Sequence, residues 1–321
     1  MERKGICVAG SIIVDQINEI VKYPNKGELA KIIRSKKSCG GLVSNVGIDL
    51  KRISPDLDVF ACGIISADDN GLFAKKVYEM NNLDVSQVKI LNTDQTSFTI
   101  VVSEVKGERT FFTYPGSSDS FGLDDIDLDN ATYKILHLGY FMLIDKIDNG
   151  DGELILKKAK EKGIKTSIDL VTENSDRYKL VIPCLKYVDY LIVNEIEASR
   201  IAGIEFNGSN MEEIMNKLFS YGVREKVIVH MPKIGYIMSK DGFKSLPSFN
   251  YPKGYIKGTT GAGDAYCAGA LYYIYLGKSD EEILSFASSS AAVSLSSADA
   301  TSAMVTEKEI LERVKEFKRL E

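Results

Sequence analysis

The chain has 321 residues, 44% of them hydrophobic and 26% charged, the make-up of an ordinary globular protein long enough for one large α/β domain or two smaller ones. Forty Lys and Arg against 45 Asp and Glu leave a net charge of −5, which excludes the basic stripe of a nucleic-acid-binding surface but not a local anion pocket built from backbone N–H groups. Five scattered cysteines with no C-x-x-C pair exclude a disulfide framework and a structural zinc site, and fit reduced thiols in the cytoplasm.

In chain order, Arg3 and Lys4 precede an apolar run from Gly5 to Val14 that Asp15 ends, with no small-residue cleavage site after it. The run superficially resembles a short signal peptide and reads equally as a buried first strand. No apolar stretch approaches the ~18 residues of a membrane helix, so a cytoplasmic location without membrane partners is expected. Ile6–Ala9, Val59–Cys62, Ile135–Leu138, Thr166–Leu170, Tyr190–Val193 and Val227–His230 read as buried strands. Helical patterns lie between them at Gly71–Met80, Glu153–Lys162, Glu195–Ala202 and Met211–Tyr221, with Gly163 and Gly222 placed as C-caps. Apolar strands separated by helices predict a doubly wound, mainly parallel sheet flanked by helices on both faces. His137 and His230 sit inside apolar runs and read as strand residues rather than metal ligands.

Two pieces break the alternation. Residues 95–105 alternate partly at period two, and Lys106-Gly107-Glu108 turn into Arg109–Tyr114, a hairpin pattern. Residues 16–37 lack helical periodicity. Together, at about 16–37 and 95–115, they are expected to form a small β-sheet lid projecting from a single domain spanning 1–321, able to close over a substrate. From Ala265 onward the pattern is helical, at Ala265–Leu276, Asp280–Ser297 and Glu307–Leu320.

Three constellations carry chemistry. In Thr260-Gly-Ala-Gly-Asp264, small residues precede a lone carboxylate at what reads as a helix start. Unpaired N–H groups there suit a phosphate, and the carboxylate either caps the helix or accepts a proton from an attacking hydroxyl. Cys39-Gly-Gly-Leu-Val-Ser-Asn45 reads as a strand-to-helix turn, or as a place where a ligand touches backbone and Asn45 donates and accepts. Asp15 is a turn former or a carboxylate able to hold two sugar hydroxyls. Asn194-Glu-Ile-Glu197 is either a capping box or an oxygen-rich corner for hydrated Mg²⁺. Walker and Rossmann loops are excluded, because Tyr272 and Tyr266 stand where each requires a small residue.

Gly40-Gly41…Asn45, Asn194-x-x-Glu197 and Thr260-Gly-Ala-Gly-Asp264, in this order and context, resemble the PfkB/ribokinase family of carbohydrate kinases over essentially the whole chain. The resemblance implies an ATP-dependent, Mg²⁺-requiring phosphotransferase acting on a hydroxymethyl group of a sugar or related small molecule. It implies Asp264 as base, an anion hole at Gly261, Ala262 and Gly263, and Asn194 and Glu197 as the magnesium-organising pair. Asp15, Gly40, Gly41 and Asn45 would contact sugar hydroxyls, and Thr260 and Ser288 would lie at the nucleotide; Arg109, on the hairpin, either touches substrate from the lid or is a solvated surface arginine. A lid of this kind implies a homodimer. Four departures stand out. Gly258 replaces an Asp linked to monovalent-cation binding, so K⁺ activation does not carry over. Gly139 replaces the Glu of true ribokinases, which speaks against D-ribose. Asp169-Leu-Val171 lacks the Asn of an Asp-x-Asn motif, and Ala287-Ser-Ser-Ser290 lacks a frequent Asn. A nucleoside kinase with Phe98, Phe111, Phe112 and Tyr114 around a base, or a non-catalytic ligand sensor on the same fold, are the alternatives.

Overall fold

The computed structural model describes residues 3–92, 94–105 and 109–321; the expected turn at Lys106–Glu108 lies outside them. Strand β1 (Ile6–Ala9) runs into β2 (Ile13–Ile20) and β3 (Ile32–Gly40), then helix α1 (Leu42–Ile53), β4 (Val59–Ser66), α2 (Asp69–Met80) and β5 (Asp84–Leu91). The hairpin β6 (Phe98–Glu104) and β7 (Arg109–Tyr114) follows, then β8 (Ile135–Phe141), α3 (Gly152–Glu161), β9 (Lys165–Leu170), α4 (Ile182–Leu185), β10 (Tyr190–Asn194), α5 (Glu195–Ala202), α6 (Met211–Ser220) and β11 (Lys226–His230). The chain ends through β12 (Ile234–Ser239), β13 (Gly242–Pro247), α7 (Ala262–Tyr275), α8 (Asp280–Ser294) and α9 (Glu307–Val314).

Nine strands form one sheet in the order β13-β12-β11-β10-β9-β8-β1-β4-β5. It is parallel from β5 to β11, with β12 and β13 added antiparallel at one edge. Side chains alternate across it. Ile6, Val8, Ile192 and Ile228 join a core with α1, α7 and α8, whereas Cys7, Ala9, Leu191 and Val193 join a second core with α3, α5 and α6. Both faces are therefore covered, as the continuous apolar strands imply. Helix α7, buried along ten of its residues, is apolar nearly all round because it lies between the sheet and α8.

The expected doubly wound sheet is present, and so is the separate small sheet, four strands in the order β3-β2-β6-β7. Three large-sheet strands carry no clear signal in the sequence: β5 is a half-exposed edge, and β12 and β13 form a hairpin at the other edge. Their faces hold too few apolar residues to stand out from loop. Two helices stop short of expectation, α8 at Ser294 and α9 at Val314. All five cysteines are unpaired. Among the described residues no helix is long and apolar enough to cross a membrane.

Candidate active site

From β1 the chain crosses to β4 on one side and later returns to β8 on the other. The crevice beyond the carboxyl ends of these strands is the switch point where ligands collect in such sheets. Asp264 stands there in the first turn of α7. Its Oδ2 accepts from Asn45 Nδ2 at 2.9 Å, and the Tyr140 hydroxyl donates to Oδ1 and Oδ2 at 3.0 and 3.1 Å. Burial and the nearby Asp169 carboxylate push its pKa up to about 7, against the pull of the Asn45 and Tyr140 bonds. Half-ionised near neutrality, the carboxylate is matched to accepting a proton.

Gly261, with φ +79°, caps α7, and a Cβ there would meet Ala300 Cα at 2.6 Å, so only glycine fits. The Ala262 amide closes a turn onto the Thr259 carbonyl at 3.2 Å. Among the described residues no hydrogen bond uses the amides of Gly261, Gly263 or Asp264. These donors stand at the positive end of a 14-residue helix, the kind of N–H cluster that suits an anion.

Three cavities lie around this region, the second sharing wall residues with each of the others. The first, of about 560 Å³, is lined by Asp15, Gly40, Gly41, Asn45, Arg109 and Thr260, with lid strands as its roof. Asp15 is the deepest lid carboxylate here, and burial pushes its pKa up to about 6. Asn45 Oδ1 is buried with no partner among the described residues, an acceptor left for a ligand hydroxyl. The second, of about 270 Å³, is lined by Asp169, Thr172, Asn194, Glu197, His230, Gly263 and Asp264. The third, of about 400 Å³, holds Tyr251, Ile256, Thr259, Gly263, Ser288 and Leu295. Tyr140 belongs to the first and second, and Asn194, His230 and Gly263 to the second and third.

Asn194 and Glu197 form the capping box of α5. Asn194 Oδ1 accepts from Glu197 N at 2.9 Å, and Glu197 Oε2 accepts from Asn194 N at 3.0 Å. Thr172 Oγ1 donates to Glu197 Oε1 at 2.6 Å and accepts from Asn194 Nδ2 at 2.7 Å. Burial pushes Glu197 up to about 7. The cap does not exhaust the carboxylate, which keeps unused lone pairs and faces the second cavity together with Asp169 and Thr172. These hard oxygen donors fit a hydrated Mg²⁺.

Sequence patterns gave no sign of Tyr140, and Asp169 entered them only as the Asp of an incomplete Asp-x-Asn motif. Tyr140 has φ +58°, a conformation that costs a non-glycine residue about 1–3 kcal/mol and concentrates at functional sites. Its amide donates to Asp169 Oδ1 at 2.7 Å. A Cβ on the preceding Gly139 would meet that same Oδ1 at 2.4 Å. Any side chain at position 139 therefore requires the Asp169 carboxylate and the Leu42 side chain to shift. Tyr140 belongs to no spacing pattern, since strand ends distant in the chain bring it to Asp169 and Asp264. His137 lies in β8 beside Asp169 Oδ2 at 3.6 Å and Cys267 Sγ at 3.5 Å. Burial pushes His230 down to about 4, so it presents neutral imidazole beside Gly263.

A half-buried carboxylate, free helix-end amides and neighbouring cavities form the equipment of a group-transfer enzyme that brings two ligands together. Residues 3–307 match the pfkB family carbohydrate kinases. The chain belongs to that family, and it is a carbohydrate kinase. The ribokinase of Dictyostelium discoideum is 25% identical over 285 residues, covering 84% of this chain and 87% of that protein. The solved structure of Arabidopsis thaliana ribokinase complexed with ribose and ATP superposes with a TM-score of 0.84 at 23% identity, covering 98% of this chain and 99% of that one. The Methanocaldococcus jannaschii nucleoside kinase gives a TM-score of 0.78 at 17% identity, with 98% and 99% covered. At these identities the structural likeness establishes the fold.

Proposed function

We propose that this protein transfers the γ-phosphoryl group of ATP to a hydroxymethyl group of a sugar or sugar-like small molecule. The observation that carries the reading is Asp264, a carboxylate with pKa about 7 set beside unbonded helix-end amides. The family's carbohydrate-kinase activity and the ATP bound in the Arabidopsis ribokinase complex support the donor.

In this reading the acceptor lies in the first cavity. Its diol is held by Asp15 and the Gly40–Gly41 backbone, Asn45 Oδ1 accepts a hydrogen bond from a further hydroxyl, and Arg109 reaches in from the lid. The nucleotide occupies the third cavity, against the apolar side chains beside Ser288, with Thr260 at the phosphate end. The attacking hydroxyl displaces the Tyr140 hydroxyl from Asp264, which takes the proton as the oxygen approaches the γ-phosphorus in line. The Gly261, Gly263 and Asp264 amides stabilise the charge growing on the transferred group, as oxyanion-hole donors do. The Ala262 amide stays in its turn. Thr172 and the α5 cap hold Glu197 and Asn194 facing the phosphates; Mg²⁺, when bound there, supplies charge neutralisation for the phosphate oxygens. Phe111, exposed on the lid at the first cavity, favours a nucleoside acceptor as the second reading.

The test is ADP formation against sugars, sugar acids and nucleosides, repeated with Asp264→Asn. The variant should keep substrate affinity and lose about 10²–10⁴ in kcat, the usual worth of a general base. Near-full activity would remove Asp264 from the role. We also infer a homodimer through the outer lid face, where Phe112, Ile33 and Tyr114 stand exposed. Sedimentation equilibrium of the native protein should give twice the chain mass; a concentration-independent monomer would reject the dimer.

A further inference from the structure

The first cavity is lined by five cations, Arg34, Lys36, Lys37, Arg52 and Arg109, against three carboxylates, Asp15, Glu19 and Asp299. The acidic chain as a whole carries −5, so this local excess runs against its surroundings. Strand register places much of it on the lid roof. Asp15 sits opposite Ser38 and Thr99, Ile17 opposite Lys36 and Val101, and Glu19 opposite Arg34 and Ser103, with Arg109 beyond Ser103. At about 3.3 Å per residue, the Lys36 row lies about 7 Å beyond Asp15 and the Arg34–Arg109 row about 13 Å beyond it. The basic rows thus begin about one sugar ring past the hydroxyl-binding carboxylate.

Two of the cations are already matched. Arg34 faces Glu19 and Lys36 faces Asp299, both at 3.7 Å. Lys37, Arg109 and Arg52 face no carboxylate partner among the described residues; Lys37 donates to the neutral Asn70 Oδ1 at 2.9 Å, away from the two arginines' acceptors. Arg109 donates to the Thr260 hydroxyl at 3.1 Å and the Ala298 carbonyl at 3.5 Å. Arg52 donates to Asn81 Oδ1 at 3.3 Å and to the Thr301 carbonyl. All four acceptors are neutral. Asp49, one turn before Arg52, is fully buried and has no hydrogen-bond partner among the described residues; burial pushes its carboxyl well above the usual range, against the pull of the Arg52 charge. Ala298 and Thr301 are three residues apart on one loop, so a lid guanidinium and a floor guanidinium converge on the same wall. Arginine forks are suited to carboxylate and phosphate, where their bonds are strongest.

Resting on the kinase reading above, we infer that the acceptor is an anionic sugar, whose carboxylate or phosphate ester is held between Arg109 and Arg52 while its hydroxymethyl group meets Asp264.

The test uses the full-length protein with ATP and Mg²⁺ and a panel of pentoses and hexoses in three forms. Each sugar is offered as the neutral compound, the aldonic acid and the 1-phosphate, all with a free terminal hydroxymethyl group. One anionic form should exceed its neutral counterpart in kcat/KM by roughly 10–100-fold, the worth of charged hydrogen bonds; which form wins separates carboxylate from phosphate. Arg109→Gln, on the exposed lid, should bring that ratio close to one, and Arg109→Lys should keep part of it. Neutral sugars turned over as well as their anionic forms would overturn the inference and leave the kinase reading standing. If no member is phosphorylated, the kinase reading fails, and calorimetric titration of the same panel decides the site. Binding of anionic members that Arg109→Gln abolishes supports it, and equal or absent binding refutes it.

Discussion

Replacing Tyr140 by Phe removes one hydroxyl and nothing else from the reaction centre. Among the described residues the phenol is the sole partner of Asp264 Oδ1, and it shares Oδ2 with Asn45. Hydrogen bonds to the ionised form lower a carboxylate's pKa, so losing this one must raise Asp264 above its value of about 7. A hydrogen bond to a charged group is worth about 1.5–3 kcal/mol; at 1.36 kcal/mol per pKa unit this is about 1–2 units. Tyr140 is only half-buried, and water can replace part of the bond, which places the expected shift near the lower figure, about one unit. The base must be ionised to work, so the loss falls on the acid side. The assay is kcat/KM against pH, which reports the free enzyme. Its acid limb should move up by about one unit, costing roughly tenfold in rate below pH ~6 and converging with the native enzyme above pH ~9. The kcat profile should move less, because bound acceptor has already displaced the phenol. An acid limb that stays in place, or moves down, would refute the assignment of Tyr140 to Asp264.

Glu197→Gln keeps the shape of the α5 cap but replaces one accepting oxygen with a donor that faces the Thr172 hydroxyl or the Asn194 amide. Loss of a cap bond costs about 1 kcal/mol, visible in urea denaturation, while the Mg²⁺ concentration for half-maximal rate should rise about 10-fold or more, as expected for residues that orient a metal. Loss of stability with unchanged Mg²⁺ dependence would make Glu197 a cap only. The two readings of this motif are therefore separable, and the structure explains why both were open: the geometry that caps α5 also points Glu197 at the second cavity.

The amino-acid sequence alone determined the elements whose signal is local. Buried parallel strands carry unbroken apolar runs, and the small-residue turn before α7 declares a helix start with exposed amides. Asn194 and Glu197 lie three residues apart, so a single turn suffices to bring them together. What only the tertiary structure decided is long-range. Asn45 and Tyr140 bond Asp264 across 219 and 124 residues of sequence, and the buried surroundings that raise its pKa belong to no segment. Edge strands β5, β12 and β13 were invisible because their order comes from neighbouring strands and not from their own half-apolar faces. The basic lining of the acceptor cavity was likewise hidden. Arg52 sits on α1, Arg109 on the lid, and their shared loop near the C-terminus, so only folding gathers them against one wall. Spacing can declare a small-residue helix start with a lone carboxylate, but the environment that tunes that carboxylate is assembled from separate parts of the chain, because pKa and charge balance depend on every group within a few ångströms.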